Sequence, residues 1–313
     1  MHHVMMWFSL ISGFLILAFS GDMLVKGAVD LSKILKVSPF IVAGTLVAFG
    51  TSAPELFVSI TASLEGSTGA ALGNILGSNF ANVFLALGMA ALIQVVRVPK
   101  NVSLVDILTL LIFTIVFSFI LLNLSTLSKW FGLLLILTLF IYIFYSFKNS
   151  KLENKEDIEK VINSIPKSII IFIIGLIGIT LGSGLLVDGA INIAKNFGIR
   201  EAIIGVGILA FGTSLPEVAT SVIAAIKKEN NIAVGNIIGS SIFNILAIGG
   251  VTLLVSNDTA LKITEINLYD LIPFILATLL IVLFYKYKFN ITKLYGLFFV
   301  IFYILWIALL FLY

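Results

Sequence analysis

Long apolar segments alternate with short polar turns along almost the whole chain, and this alternation predicts the helices. A helix needs about 20 mostly apolar residues to cross the hydrocarbon core of a bilayer. By that rule the sequence predicts ten membrane-spanning helices, at residues 7–30, 39–64, 70–96, 102–123, 128–148, 168–194, 201–226, 231–256, 267–285 and 292–312. The first segment lacks a basic start and continues past Asp22, so we interpret it as a permanent span and not as a cleaved signal peptide. The pattern predicts an all-α membrane protein.

One long polar stretch interrupts this pattern, from Lys148 to Lys167. It divides the predicted helices into two sets of five. We therefore expect a first five-helix repeat at 1–148, a cytoplasmic linker at 149–167 and a second five-helix repeat at 168–313. Because five is an odd number, the second set enters the membrane upside down relative to the first. This is an inverted-topology repeat, which is common among secondary transporters.

Basic residues orient the predicted helices. With the linker in the cytoplasm, most Lys and Arg residues near helix ends share its side: Lys33, Lys36, Arg97, Lys100, Lys227, Lys228, Lys286, Lys288 and Lys293. A smaller set falls outside: Lys129, Lys195, Arg200 and Lys262. Since cytoplasmic loops carry an excess of positive charge, we expect both termini to lie outside the cell.

Composition supports a protein whose main partner is the lipid bilayer. The 313 residues are 60% hydrophobic and 11% charged, whereas soluble domains carry about a quarter charged residues. The chain has no cysteine, which excludes disulfides and thiolate metal sites. Its only histidines, His2 and His3, lie at the N-terminus, so we expect neither a zinc site nor a histidine relay. We expect no enzyme activity, no cofactor, no nucleic-acid partner and no obligate protein partner.

Two motifs occur twice, and the same offset of 162 residues relates both pairs. The sequence G-T-S-x-P-E at 50–55 recurs at 212–217. The sequence G-N-I-x-G-S at 73–78, followed by Asn82, recurs at 235–240, followed by Asn244. Each copy places one carboxylate, Glu55 or Glu217, in an otherwise apolar region. A duplicated, intramembrane and acidic motif indicates a transporter of cations.

The first motif predicts a broken helix lined by oxygen atoms. Proline lacks an N–H group and clashes with the carbonyl four residues before it, so Pro54 should release the carbonyl of Gly50. Such breaks are tolerated in membranes only where they are buried or line a cavity. Thr51, Ser52 and Glu55 share one helical face. In the second copy Pro216 should release the Gly212 carbonyl, and Thr213, Ser214 and Glu217 repeat the face. Hard oxygen ligands of this kind suit Na⁺ and Ca²⁺.

The second motif adds a hydroxyl and an amide one helical turn apart in each copy. These pairs are Ser78 with Asn82, and Ser240 with Asn244. The motif glycines are spaced as G-x-x-x-G, at 73 and 77 and at 235 and 239, which is typical of close helix packing. We expect the glycines to pack helices together while the serine and asparagine side chains face the cation.

The alternative for Glu55 and Glu217 is a structural carboxylate that is hydrogen-bonded inside the bundle. A charge at the bilayer centre costs roughly 2.5–3.5 kcal/mol. Two such charges in equivalent positions, each beside a helix break, favour a functional role. Asp22, Asp30 and Asp188 are weaker candidates, and Asp22 is expected to pair with Lys26 four residues later.

The two carboxylates also predict a mode of transport. Like charges held close together destabilise each other's ionised form. One Ca²⁺, several Na⁺ or two protons could neutralise the pair. Without a cation, two bare carboxylates in a low dielectric make reorientation slow, so the site should reorient mainly when filled. That asymmetry favours exchange over leak and leaves the choice of ions open.

The motifs resemble those of the calcium/cation antiporter superfamily, in particular its sodium/calcium exchanger branch of prokaryotic type. This resemblance implies that Glu55 and Glu217 bind both Ca²⁺ and Na⁺, with Thr51 and Thr213 adding carbonyl oxygens to Ca²⁺. It implies further Na⁺ ligands at Ala48, Ser52, Ser78, Ala210, Ser214 and Ser240, with Asn82 and Asn244 at the middle of the site. The first helix of each half would slide to give alternating access.

One departure from the family pattern concerns Asn244, where many sodium-dependent members carry aspartate. An amide at this position argues against potassium co-transport. The proton/calcium branch carries G-N-x-x-E, which does not match here, although proton coupling stays an alternative because two carboxylates can carry protons. A cation channel is the alternative of a different class. A linker of about twenty residues has no room for calcium-sensor domains, which suggests a prokaryotic plasma membrane.

Overall fold

Helices make up nearly all of the part of the chain that the structure describes. The structure is a computed structural model that describes residues 2–123, 126–150, 164–196, 210–256, 260–262, 266 and 268–310. Its helices are α1 (His2–Leu35), α2 (Pro39–Thr51), α3 (Ala53–Leu64), α4 (Gly69–Ile93), α5 (Leu104–Asn123), α6 (Lys129–Asn149), α7 (Ile165–Asn196), α8 (Ala210–Thr213), α9 (Leu215–Ile226), α10 (Asn230–Val255), α11 (Leu268–Tyr287) and α12 (Lys293–Leu310). Two strands, β1 (Thr126–Ser128) and β2 (Ala260–Lys262), form an antiparallel pair.

The helices have the length and composition of membrane spans. Among the described residues, seven helices are long and apolar enough to cross a bilayer, and the bent pair of α2 and α3 is an eighth candidate. Two shorter apolar helices, α9 and α12, accompany them. The prediction of a helical integral membrane protein is therefore confirmed. Of the predicted helix at 201–226, residues 201–209 lie outside the described ranges, as does most of the predicted linker.

Burial separates a central layer from a peripheral one. In the most apolar stretch of α4 and of α10, 83% of the residues are buried inside the protein, against 33% in α1 and 28% in α7. The main hydrophobic core surrounds α4 and α10 and includes Phe80, Phe84 and Ile237. A second, smaller core lies along α1 and α7, around Leu24 and Ile179. Helices α4 and α10, which carry the two copies of the G-N-I-x-G-S motif, thus form the centre of the molecule.

Helices α1 and α7 pack against each other without intervening side chains at two glycines. A Cβ atom on Gly13 would lie 2.5 Å from the backbone nitrogen of Leu186, and one on Gly175 would lie 2.5 Å from that of Leu24. Both glycines, and both leucines, are 162 residues apart in sequence. The contact of Gly13 with Leu186 is therefore repeated, with the two halves exchanged, as the contact of Gly175 with Leu24.

The strand pairings were not predicted. β1 joins the connection between α5 and α6 to the connection after α10, with Leu127 opposite Leu261. A single bridge between Val96 and Ile291 makes a similar link elsewhere. Because Val96 has left the helix to make this bridge, α4 ends at Ile93 and not at residue 96 as the hydropathy pattern predicts.

The expected pairing of Asp22 with Lys26 was wrong. The Asp22 carboxylate pairs instead with the Lys227 ammonium, just beyond the end of α9. Sequence spacing could predict only a partner on the same helix, whereas tertiary packing brings α1 beside α9. Asp22 thus links the peripheral α1 to the helix that carries Glu217.

The packing prediction for the motif glycines holds in the second half. A Cβ on Gly235 would lie 2.5 Å from the carbonyl oxygen of Phe40, and one on Gly239 would overlap the backbone of Gly44. In the first half, no described atom lies within 4 Å of a Cβ placed on Gly73 or Gly77. Close packing on α10 therefore has no counterpart on α4 within the described residues.

Candidate functional site

The helix break that the first motif predicts is present in both copies. α2 ends at Thr51 and α3 begins at Ala53, with an angle of 44° between them. Ser52, at the junction, has φ −84° and ψ 8°, and the equivalent Ser214 has φ −85° and ψ 2°. These values lie in the sparsely allowed bridge region of the backbone map. The proline that follows therefore breaks the helix at the same residue in each half.

A side chain compensates for one of the carbonyls that proline releases. The carbonyl oxygen of Gly212 accepts a hydrogen bond of 3.1 Å from the Ser183 hydroxyl on α7. Since a helix carbonyl without its usual partner is costly in a membrane, this bond stabilises the break in the second half. Ser183 was not predicted, because its relation to Gly212 depends on the packing of α7.

The two glutamates lie in the first turns of α3 and α9, and each side chain is only 1% exposed. Oε1 of Glu217 accepts a hydrogen bond of 2.8 Å from the Ser52 hydroxyl of the other half. Within the described part of the chain, neither carboxylate oxygen of Glu55 has a hydrogen-bond partner, and nor does Oε2 of Glu217. Two buried carboxylates are therefore mostly without donors.

Other predicted site residues also form contacts between the two halves. The Thr51 hydroxyl lies 3.4 Å from that of Ser240, and it donates a 3.2 Å hydrogen bond to the side-chain oxygen of Asn236. Asn82 donates a 3.5 Å hydrogen bond to the hydroxyl of Ser241. The first and second motifs of opposite halves thus meet, although they lie more than 150 residues apart in sequence.

Several other buried polar atoms of the predicted site also lack hydrogen-bond partners among the described residues. Among the described residues, the buried oxygens without a hydrogen-bond partner include Oδ1 of Asn82, Oδ1 of Asn244 and Oγ of Ser214. Such atoms cost free energy unless another group satisfies them. Carboxylate, amide and hydroxyl oxygens are the ligands that Na⁺ and Ca²⁺ prefer. The arrangement can therefore coordinate a hard cation.

The remaining predicted ligands are placed less fully. The carbonyl of Ala48 accepts a 3.0 Å hydrogen bond from the backbone N–H of Ser52. Ser78 is buried on α4, and Thr213 is buried at the end of α8. Ala210 is the first described residue of α8. Ala48, Ala210 and Thr213 thus lie in the short helical segments that precede the two breaks, and Ser78 lies on the central helix α4.

The helix irregularities continue beyond the breaks. π-helical turns run from Asn82 to Leu87 in α4 and from Asn244 to Ile248 in α10. Such turns are rare and often occur at functional sites. Both begin at a predicted site asparagine, so each asparagine stands where its helix widens.

A cavity of about 260 Å³ lies between α7 and the two helix breaks. Its lining includes Asp188, Ser183 and Gly184 of α7, together with Pro54 and Thr213 of the broken helices. Asp188 was predicted only as a weak candidate ligand. It lines this cavity, and the structure does not bring it to the oxygen cluster.

Two asparagines of the second motif contact the site and were not predicted to do so. Asn74 donates a 2.9 Å hydrogen bond to the backbone carbonyl of Glu55, and Asn236 donates one of 3.5 Å to that of Glu217. The signal was visible in the sequence, because both asparagines belong to the duplicated G-N pair. Their contacts could not be predicted from the motif alone, because they depend on how α4 packs on α3 and α10 on α9.

The Ser52 bond to Glu217 predicts a difference between two equivalent serines. Ser52→Ala should lower the melting temperature of the purified protein without added Ca²⁺ by more than Ser214→Ala, because a 2.8 Å hydrogen bond joins Ser52 to Glu217 and no bond of that geometry joins Ser214 to Glu55 among the described residues. A hydrogen bond to a charged group contributes about 1.5–3 kcal/mol. The measurement is a thermal unfolding curve of each variant in detergent. Equal decreases in the two variants would contradict the prediction, because they would show that the bond from Ser52 to Glu217 adds no more stability than Ser214 does.

Comparisons with known proteins point to one family. The family model described as "Sodium/calcium exchanger protein" matches residues 5–148 and 167–312. An uncharacterized membrane protein of Methanocaldococcus jannaschii is 35% identical over 95% of both chains. The sodium/calcium exchanger MaX1 of Methanosarcina acetivorans is 31% identical over 96% of this chain and 97% of that protein. A solved structure of the sodium-calcium exchanger NCX_Mj has a TM-score of 0.85, with 33% identity over 98% of this chain and 99% of that chain.

Proposed function

Because this chain belongs to the sodium/calcium exchanger family, we propose that it exchanges Ca²⁺ for Na⁺ by alternating access to a site built on Glu55 and Glu217. The family consists of transporters and not of enzymes. The observation that carries the proposal is the pair of buried carboxylates, which lie among other oxygens that lack hydrogen-bond donors. Cation/Ca²⁺ antiport is the activity that the family supports. The choice of Na⁺ and the ligand residues are the finer parts of the proposal.

The proposed architecture is ten spans in two inverted five-helix repeats, at 1–148 and 168–313, joined by a linker at 149–167. Exchanged contacts between the halves support it, as at Gly13 and Gly175. So does a 2.9 Å hydrogen bond between the hydroxyls of Thr114 and Thr278, each of which stands ten residues after the first residue of its helix, α5 or α11. A contact between equivalent residues is what a two-fold axis between repeats produces. Inverted repeats of this kind hold their sites near the middle of the membrane.

The proposed ligands are those that membership of the family implies, and the burial of several of them beside the glutamates supports this choice. Glu55 and Glu217 would bind either ion, and carbonyls of Thr51 and Thr213 would complete the Ca²⁺ sphere. Na⁺ would use oxygens of the following residues: Ala48, Ser52, Ser78, Ala210, Ser214 and Ser240. Asn82 and Asn244 would stand between the two halves. Their side-chain oxygens lack hydrogen-bond partners among the described residues, which fits this position.

Charge neutralisation explains why such a site exchanges ions. Two buried carboxylates that have a hydrogen-bond donor at only one of their four oxygens, among the described residues, are costly, and one Ca²⁺ or a set of Na⁺ ions removes that cost. The loaded site can then change access, while the bare site does so slowly. The cavity along α7 supports access from the side on which Asp188 lies. The change of access would involve α1 and α7, which contact each other closely and are the least buried of the long helices apart from α6.

We place the protein in a prokaryotic plasma membrane, with both termini outside and the linker in the cytoplasm. The distribution of Lys and Arg supports this orientation. Ca²⁺, Na⁺ and lipid are then the partners that its activity requires.

Transport in liposomes tests the proposal. The purified protein is reconstituted, and uptake of radioactive Ca²⁺ is measured under an outward Na⁺ gradient, under a proton gradient alone and under a membrane potential alone. Uptake that requires internal Na⁺ is expected. Uptake that follows the proton gradient would replace Na⁺ by H⁺ as the coupled ion. Uptake driven by voltage with neither gradient would contradict exchange and indicate a channel.

A further inference from the structure

The turn that carries Glu55 directly follows a break in the helix. α3 starts at Ala53, directly after the bend at Ser52, so Glu55 lies in the first turn of a new helix. The first turn of a helix lacks part of the hydrogen bonding of its interior. A carboxylate in such a turn holds its position only if another element fixes the turn.

Asn74 of α4 makes that connection in the first half. Its side-chain nitrogen donates 2.9 Å hydrogen bonds both to the carbonyl oxygen of Glu55 and to the hydroxyl of Ser59. Ser59 stands one turn after Glu55 on the same face of α3, and its hydroxyl donates onwards to the carbonyl of Ala71 at 3.4 Å. Both hydrogens of the amide are therefore directed at the segment that presents Glu55.

The second half repeats the two contacts of the asparagine with equivalent residues. Asn236 of α10 donates to the carbonyl of Glu217 at 3.5 Å and to the hydroxyl of Ser221 at 3.4 Å. Its side-chain oxygen accepts a 3.2 Å bond from the Thr51 hydroxyl of the other half. Asn236 thus joins the turn that carries Glu217 to a predicted ligand residue on α2.

We infer that Asn74 and Asn236 are positioning residues that hold Glu55 and Glu217 in the geometry for cation binding, without being ligands themselves. The inference rests on the proposed function of the two glutamates. Each asparagine acts through the main chain of its glutamate and through the serine one turn later. Loss of the amide frees the first turn, so ordering the carboxylate then opposes cation binding.

A purely structural role would have a different consequence. If the amides only packed α4 on α3 and α10 on α9, their removal would lower stability and leave the Ca²⁺ affinity of the folded protein unchanged. Ser63 provides the matched control, because its hydroxyl donates a 2.9 Å bond to the carbonyl of Thr252 from the same helix α3. Ser63 is buried and lies two turns beyond Glu55. Ser63→Ala thus removes a buried interhelical bond away from the glutamates.

The test measures Na⁺-driven Ca²⁺ uptake in liposomes as a function of Ca²⁺ concentration for Asn74→Ala, Asn236→Ala and Ser63→Ala. Each asparagine variant should raise the half-saturating Ca²⁺ concentration about tenfold, as the loss of two hydrogen bonds implies. The maximal rate per folded molecule should change by less than about threefold. Ser63→Ala should lower the melting temperature and keep the half-saturating concentration of the wild type.

An unchanged half-saturating concentration in both asparagine variants would overturn the inference. If Asn74→Ala does not fold, Ser59→Ala removes one of its two contacts and should give a smaller rise of about threefold. The two proposals fail in distinguishable ways. Absence of Na⁺-driven uptake in the wild type contradicts the proposed function, whereas wild-type uptake with an unaltered Ca²⁺ affinity in the variants contradicts only the positioning role.

Discussion

Glu55→Gln is expected to reduce Na⁺-driven Ca²⁺ uptake by at least about 100-fold, equivalent to about 2.7 kcal/mol of lost cation stabilisation. Glutamine keeps the size of the side chain and removes one of the two negative charges. Both carboxylate oxygens of Glu55 lack hydrogen-bond partners among the described residues, so the substitution removes no hydrogen bond of the described fold. The measurement is uptake of radioactive Ca²⁺ into liposomes that contain equal amounts of folded variant and wild type.

Glu65 supplies the control for this substitution. It follows the last residue of the same helix α3 and is exposed, ten residues after Glu55. Glu65→Gln makes the identical chemical change and alters the net charge equally, and we expect uptake within about twofold of the wild type, as for most exposed positions. If Glu55→Gln retained more than a tenth of wild-type uptake while Glu65→Gln behaved normally, the two-carboxylate site would be contradicted.

Much of the fold could be predicted because the bilayer restricts what a chain can do. A segment that crosses lipid must be apolar, long and helical, so the hydropathy pattern located α5 and α11 closely. The break at Ser52 followed from the proline two residues later. The pairing of β1 with β2 could not be predicted, since three-residue strands between helices leave no periodic pattern. Their partners are set by which helix ends the tertiary structure brings together.

The composition of the candidate site was predictable, but its connections were not. Duplication marked Glu55 and Glu217 because a buried carboxylate that occurs twice in equivalent positions is unusual in an apolar chain. The bond from Ser52 to Glu217 joins opposite halves, and nothing in the spacing of one motif specifies its partner in the other. Asn74 illustrates the same limit, since its contact with Glu55 depends on how α4 lies against α3. Sequence repeats identify residue types, whereas packing decides which atoms meet.

Gly239→Ala is expected to prevent most of the protein from folding. A Cβ at this position would overlap the backbone of Gly44, and backbone atoms cannot move aside as the end of a flexible side chain can. Overpacking a core typically costs about 1–3 kcal/mol, and sometimes more. α10 is central, and Ser240 follows Gly239 directly, so separating α10 from α2 also displaces part of the site. The yield of monodisperse protein after extraction from membranes, and its melting temperature, measure the effect.

Gly184→Ala on α7 is the matched control, because no described atom lies within 4 Å of a Cβ placed there. Alanine is a better helix former than glycine by up to about 1 kcal/mol, so this variant should be at least as stable as the wild type. The comparison distinguishes a glycine that close backbone contact requires, Gly239, from a glycine whose position has room for a side chain, Gly184. Normal yield and stability of Gly239→Ala would mean that α10 and α2 are farther apart than the contact with Gly44 requires. The cross-half contacts of Thr51 with Ser240 and Asn236 would then lose their structural basis as well.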